Sequence, residues 1–300
     1  MSLHLLPLLL APLAPAPASG SLLAAVPDDA YALVHCRDVA ALRARAERND
    51  WYRLLGSTHG EPLLEGLALE VRSFTHSDLD ALLEMARALE GEAVFFDTGT
   101  VAGFVTDPPA EPAPLANLVR EWMPSGDAAA RRTLDVGGGT VELVAWPAAI
   151  DGWSGRAGHF AAFLQHPRAL AIYSGDDSAA VLAALTAGVT HLGDDHLAPL
   201  VSSYLAAGGD PGHGIELFVD FTPLVARAEA ALEEAVEGML PDPRRLLGLE
   251  EGTWLHATAD VFPGTRVECD ARMRVPPGTL AARLADTFEP LPPSPVSYTH

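Results

Sequence analysis

The chain has 300 residues and a formal charge of −21, from 40 acidic and 19 basic side chains. All the basic side chains are arginine, because the sequence contains no lysine. Phosphate contacts need cationic groups, so nucleic acid and anionic membrane surfaces are not expected partners. Without lysine there is no Schiff-base chemistry, no P-loop lysine and no Ser–Lys dyad.

Residues 1–18 have the pattern of an export signal. Residues 5–13 supply a short apolar core, and Ala16-Pro17-Ala18 fits a small-residue cleavage site that leaves Ser19 as the new N-terminus. Prolines interrupt the run and no Arg precedes it, so the competing reading is a proline-rich disordered N-terminus. The signal implies an exported protein, periplasmic or extracellular. No other segment approaches ~18 uninterrupted apolar residues, so no membrane insertion is expected after cleavage. The two cysteines, Cys36 and Cys269, could pair in an oxidising compartment or remain as buried free thiols.

The organising stretch begins at Pro27-Asp28-Asp29-Ala30. A short apolar strand at 31–34 follows, and then Asp38, whose carboxylate can cap a helix carrying Val39, Leu42 and Ala46. Asn49 and Asp50 cap a second short helix at 51–55. A strand or short helix is expected over 63–74 and an amphipathic helix over 78–90. A hairpin at 92–106 turns through Asp97-Thr98-Gly99-Thr100. Next come a helix at 115–123, a hairpin at 132–146 around Gly137-Gly138-Gly139, and a short helix near 160–164. A strand at 169–173 leads into a helix at 178–187 stopped by Gly188. A helix at 199–206 precedes a strand at 215–219. Thr222-Pro223 then opens a long helix with Glu229, Glu233 and Glu237 off its apolar stripe. The best hairpin runs through 253–275 around Pro263-Gly264-Thr265, and a last helix covers 279–288.

These motifs resemble a family of exported bacterial proteins of unknown function. Its members open with a Pro-Ala-Asp-Ala turn, a strand, an Asp-Leu-Ala-Ala-Leu helix and a Pro-Leu-Trp segment. Here the matching residues are Pro27 to Ala30, Asp38-Val39-Ala40-Ala41-Leu42 and Trp51-Tyr52-Arg53-Leu54-Leu55. Gly193 to Asp195 through Phe218-Val219-Asp220 resembles the family's second strand–helix segment. Leu246 to Leu249 and Pro277 to Leu280 resemble its close. The resemblance carries over no catalytic residue. Val296 to His300 has the look of translated adapter sequence, which would make this a truncated metagenomic member.

Several motifs invite a chemical reading. Leu134 to Glu142, with its three glycines, is similar to the second phosphate loop of the actin and sugar-kinase ATPases, and Asp97 to Thr100 to the first. That superfamily separates the two loops by a whole subdomain, whereas here they sit in successive hairpins, so glycine-rich turns are the expected reading. His191, Asp194 and His196 form a candidate metal site, with Asp195 and His213 nearby. Imidazole and carboxylate suit zinc, and an open position would activate water. The bland reading makes Asp194 and Asp195 caps for a helix beginning near Leu197. The Glu229, Glu233 and Glu237 row is expected to be a solvated face.

The expected fold class is α+β: mixed, largely antiparallel sheets with packed amphipathic helices and a candidate internal duplication of a strand–helix unit. The expected divisions are a signal peptide at 1–18, a first α+β unit at 19–190 and a second at 191–289. A proline-rich linker and non-native tail would follow at 290–300. The expected function is a non-catalytic exported module with a binding or structural role, with no cofactor. The alternatives are a metal-dependent hydrolase centred on His191, Asp194 and His196, and a protein–protein adaptor acting through the acidic helix surface. An unknown protein is the expected kind of partner.

Overall fold

The computed structural model describes residues 21–55, 57–58, 62, 87–108, 130–146, 159–192, 194, 196–209, 214–224, 226 and 252–275. The expected signal at 1–18, the segments at 63–74 and 115–123, the helix at 279–288 and the tail lie outside these residues. So do Asp195, His213, all of the acidic helix beyond residue 226, and all but the end of the expected 78–90 helix.

Among the described residues the architecture is one ten-stranded antiparallel sheet, which corrects the expectation of α+β with several mixed sheets. Its strands are β1 (Ala32–Cys36), β2 (Ala93–Asp97), β3 (Val101–Thr106), β4 (Ala130–Val136) and β5 (Gly139–Trp146). Then come β6 (His159–His166), β7 (Ala169–Gly175), β8 (Ile215–Asp220), β9 (Trp254–Val261) and β10 (Val267–Arg274). The order across the sheet is β10-β9-β8-β1-β2-β3-β7-β6-β5-β4. The two strands that open the expected strand–helix units, β1 and β8, lie side by side, with Leu33 opposite Phe218. Strands from both expected units are thus hydrogen-bonded into a single sheet.

Among the described residues the named helices are short. Apart from a 3-10 turn at Leu22–Ala25, they are α1 (Val39–Ala46), α2 (Asp50–Leu55), α3 (Ser178–His191) and α4 (Pro199–Ala206). Asp38 caps α1 by accepting from the Ala41 amide at 2.7 Å. Asn49 caps α2 through its Oδ1, which accepts from the Trp51 amide at 3.0 Å. Its amide nitrogen reaches across to the Phe262 carbonyl at 2.7 Å and ties α2 to the β9–β10 hairpin.

Two local expectations fail for physical reasons. Residues 160–164 belong to β6, not to a helix; Ala161 and Phe163 bury on one face and Ala162 and Leu164 on the other. A strand covered on both faces loses its alternation and looks helical in sequence. Gly188 does not stop α3, which continues to His191. A Cβ at Gly188 would lie 2.5 Å from the Tyr173 hydroxyl, so the glycine permits close helix-on-sheet packing.

The period-2 geometry of strands aligns one residue per strand into rows across the sheet. One row reads His256, Phe218, Leu33, Phe96, Gly103, Tyr173, Ala162, Leu143. The next reads Glu216, His35, Val94, Val105, Ala171, Leu164, Val141. Above these rows pack Leu22 and Leu23 of the 3-10 turn, Val181 and Leu185 of α3, and Leu200, Val201 and Tyr204 of α4. Full burial of each such side chain contributes about 1.5–3 kcal/mol. The opposite face has a smaller cluster on β5, β6 and β7 around Val144, Phe163 and Leu170, against which Val39 of α1 packs. Towards β2, β8 and β10 that face opens, exposing Phe95, Ile215, Val267 and Met273.

Candidate functional site

At one end of the two rows the core stops being apolar. His35 and Glu216 lie directly opposite each other on β1 and β8, and His256 lies opposite Phe218 on β9. All three are buried. Each occupies a strand position whose phase points into the main core, so each needs a polar partner there.

His35 finds two. Its Nε2 is 2.9 Å from Glu92 Oε1, and its Nδ1 is 3.3 Å from the Tyr204 hydroxyl, brought down from α4. Glu92 is further held by the Ser21 hydroxyl at 2.7 Å and the Leu22 amide at 2.9 Å. Burial pushes the Glu92 carboxyl up, but the hydrogen bonds from His35, the Leu22 amide and Ser21 outweigh it, and its pKa is lowered. With Glu92 ionised, Nε2 of His35 carries the proton it donates. In the neutral ring Nδ1 is then the acceptor for the Tyr204 hydroxyl. His256 is paired separately, with Nε2 2.8 Å from Glu216 Oε2. The two pairs meet at Tyr204, whose ring stands edge-on to His35 at 6.1 Å and to His256 at 5.6 Å.

Glu92 also shapes its surroundings. Its amide donates to Asp107 Oδ2 at 2.7 Å. The Asp107 carboxyl is raised, chiefly by burial and further by the Glu92 charge, against the lowering effect of that amide.

The carboxylate–imidazole–hydroxyl order of Glu92, His35 and Tyr204 is the arrangement that orients a nucleophile in hydrolytic triads. Here the hydroxyl is sealed, with Tyr204 0% exposed. The cluster ties the N-terminal 3-10 turn, the central strands and α4 into one body. The cluster has no local signature in the sequence, because His35 and Glu92 are 57 residues apart and Glu216 and His256 are 40 apart. The available signal was a polar residue at an inward strand position, at 35, 216 and 256.

The predicted metal residues are partly brought together. His191, at the end of α3, faces His196 with ring centroids 4.1 Å apart. His196 Nε2 is 2.8 Å from Asp28 Oδ1, in the turn before β1. Asp194 is placed by its amide, which donates to the His191 carbonyl at 3.0 Å. Asp194 does not cap α4, which has Ala198 at its N-cap with no side-chain bond and begins at Pro199. Among the described residues no group of three or more His, Cys, Asp or Glu could hold a metal ion. The glycine-rich loops are hairpin turns, with Gly137 and Gly138 at φ 56° and 83° between β4 and β5. Cys36 is buried and free, and Cys269 is exposed and free.

The class the fold defines, among the described residues, is an antiparallel single-sheet protein with α3 and α4 packed over one face. No family model matches the chain, and no curated protein matches it. Among solved structures it is similar to TP0453 in crystal form III, at 9% identity and TM-score 0.39, over 88% of this chain and 84% of that one. For crystal form IV of TP0453 the values are 10% and 0.34, over 84% and 78%. At these scores the likeness does not define a shared fold. No helix among the described residues is long and apolar enough to cross a membrane.

Proposed function

We propose that the protein is an exported, non-catalytic module with a binding or structural role, acting in the periplasm or outside the cell. The observation that carries this reading is where the sheet puts its chemistry and its apolar surface. The imidazole–carboxylate pairs of the sheet, His35–Glu92 and His256–Glu216, are turned inward together with the Tyr204 hydroxyl that His35 meets. Phe95, Ile215, Val267 and Met273 are instead turned outward on the opposite face. Exposed apolar side chains gathered on one face suit recognition of another macromolecule. The export signal and the family resemblance support the location.

The test has two arms. Expression with a C-terminal tag, followed by fractionation and N-terminal sequencing, should find the protein outside the cytoplasm beginning at Ser19. Purified protein should not turn over ester, phosphoester, peptide or glycoside substrates. Turnover abolished by His35→Gln would overturn the non-catalytic reading, and retention of residues 1–18 in the cytoplasm would overturn the location.

A further inference from the structure

We infer that β10 is a self-recognition edge, through which two copies of this chain join antiparallel into one continuous sheet. β10 ends the strand order and all eight of its residues are exposed. The Phe262 amide donates to the Arg266 carbonyl at 3.0 Å, which makes that pair a hydrogen-bonded one. Alternation along an antiparallel ladder then sends the backbone groups of Glu268, Asp270, Arg272 and Arg274 towards β9. Val267, Cys269, Ala271 and Met273 direct theirs to the open edge. Such an edge templates another strand unless something forbids it.

Charge decides which strand. A second β10 across a two-fold axis must pair outward-directed residues with outward-directed residues. Placing the axis at Ala271 sets Cys269 opposite Met273 of the other copy. It also sets Asp270 opposite Arg272 and Glu268 opposite Arg274, each twice by symmetry. These charged pairs fall at non-hydrogen-bonded positions, where Cα atoms approach to about 4.5 Å and side chains interact most. Sliding one allowed step either way puts Asp270 against Asp270 or Arg272 against Arg272. A further step opposes Glu268 to Asp270, or Arg272 to Arg274. One register alone matches opposite charges throughout, so charges that usually block edge pairing here specify it. In the monomer Arg272 leans on Asp270, with Nε 2.9 Å from Oδ2, so both are already held on the strand. The same pairing brings the exposed Val267 and Met273 of two copies together on the other face. The overall charge of −21 opposes association, so the dimer should tighten between low and about 0.15 M salt.

Sedimentation of the purified protein across a concentration series should show a reversible monomer–dimer equilibrium. Arg272→Asp should weaken it at least about tenfold by placing like charges opposite. Asp270→Arg combined with Arg272→Asp should restore it. Because these residues are exposed, the urea midpoint measured at concentrations where the unaltered chain is monomeric should stay unchanged and separate association from folding. Cysteine cross-linking reads the register. Met273→Cys would place Cys269 opposite the new thiol at a hydrogen-bonded pair, about 5.5 Å between Cα atoms, which suits a disulfide. Mild oxidation should then give a covalent dimer. The unaltered chain should give none, since its two Cys269 residues would lie roughly 13 Å apart along the strand, and neither should Met273→Cys in a Cys269→Ser background. A species monomeric at every concentration, cross-linking by either single cysteine, or open-ended ladders built through β4 would each overturn the inference.

Discussion

Phe96 and Tyr173 meet edge to face across Gly103, their ring centroids 5.3 Å apart. Gly103 lies in register between them, and a Cβ there would fall 2.1 Å from the Phe96 ring. Gly103→Ala should therefore destabilise the protein by overpacking, by about 1–3 kcal/mol. Urea denaturation measures it. Combining Gly103→Ala with Phe96→Leu should recover part of the loss, because the smaller side chain clears the space.

The pair His256 and Glu216 is buried on both sides, at 5% and 6% side-chain exposure. His256→Phe strands a carboxylate in the core and should cost about 3–5 kcal/mol. Glu216→Leu strands an imidazole nitrogen and should cost about 1–3 kcal/mol. The double variant should lose less than the sum of the two. A double-mutant cycle with additive losses would show that the pair is not coupled.

The lowered carboxyl of Glu92 makes acid stability predictable in sign. A carboxyl that ionises more readily in the folded chain contributes stability that is fully present above the unfolded pKa of glutamate, about 4.3. That contribution is lost as pH falls through the lower folded value. Asp107, which is raised, acts in the opposite direction, favouring the folded chain less as pH rises through the aspartate range. Glu92→Gln should flatten the rise of stability with pH between about 3 and 5, followed by denaturation midpoints at each pH. An unchanged slope would show that Glu92 is not held by its three donors.

The two thiols should react at very different rates. Cys36 is buried and its thiol pKa is raised, first by burial, while Cys269 is exposed on β10. A thiol reagent at pH 8 should label one cysteine quickly in the native protein and the second only on unfolding. Cys269→Ser should abolish the fast phase and leave the slow one.

Much of this fold is written locally. Asp38 and Asn49 announce α1 and α2 because a cap needs only its own helix's first turn. The turns at 97–100, 137–139 and 263–265 announce three hairpins for the same reason. What is not legible locally depends on distant partners. The run at 160–164 looked helical because α3 and a second cluster cover both faces of β6. Gly188 looked like a stop because the Tyr173 hydroxyl it accommodates lies on another element. His191 and His196 are legible because they are close in chain, and their tilted rings lie 4.1 Å apart. His35, Glu92 and Tyr204 leave no local pattern because three separate segments deliver them to one point.

The placement of β1 beside β8 also governs when the sheet can be finished. β1 acquires β2 early in synthesis, but its other edge stays open until the chain has run on to Ile215. Pairings so remote in sequence are slow to close and leave a growing polypeptide with an adhesive border. A chain emerging from one end to the other must shelter that border for most of its length, whereas a chain diluted from denaturant has both strands at once. Refolding in the test tube should accordingly outperform emergence from a ribosome or a translocation channel, unless a holding factor guards the first strand.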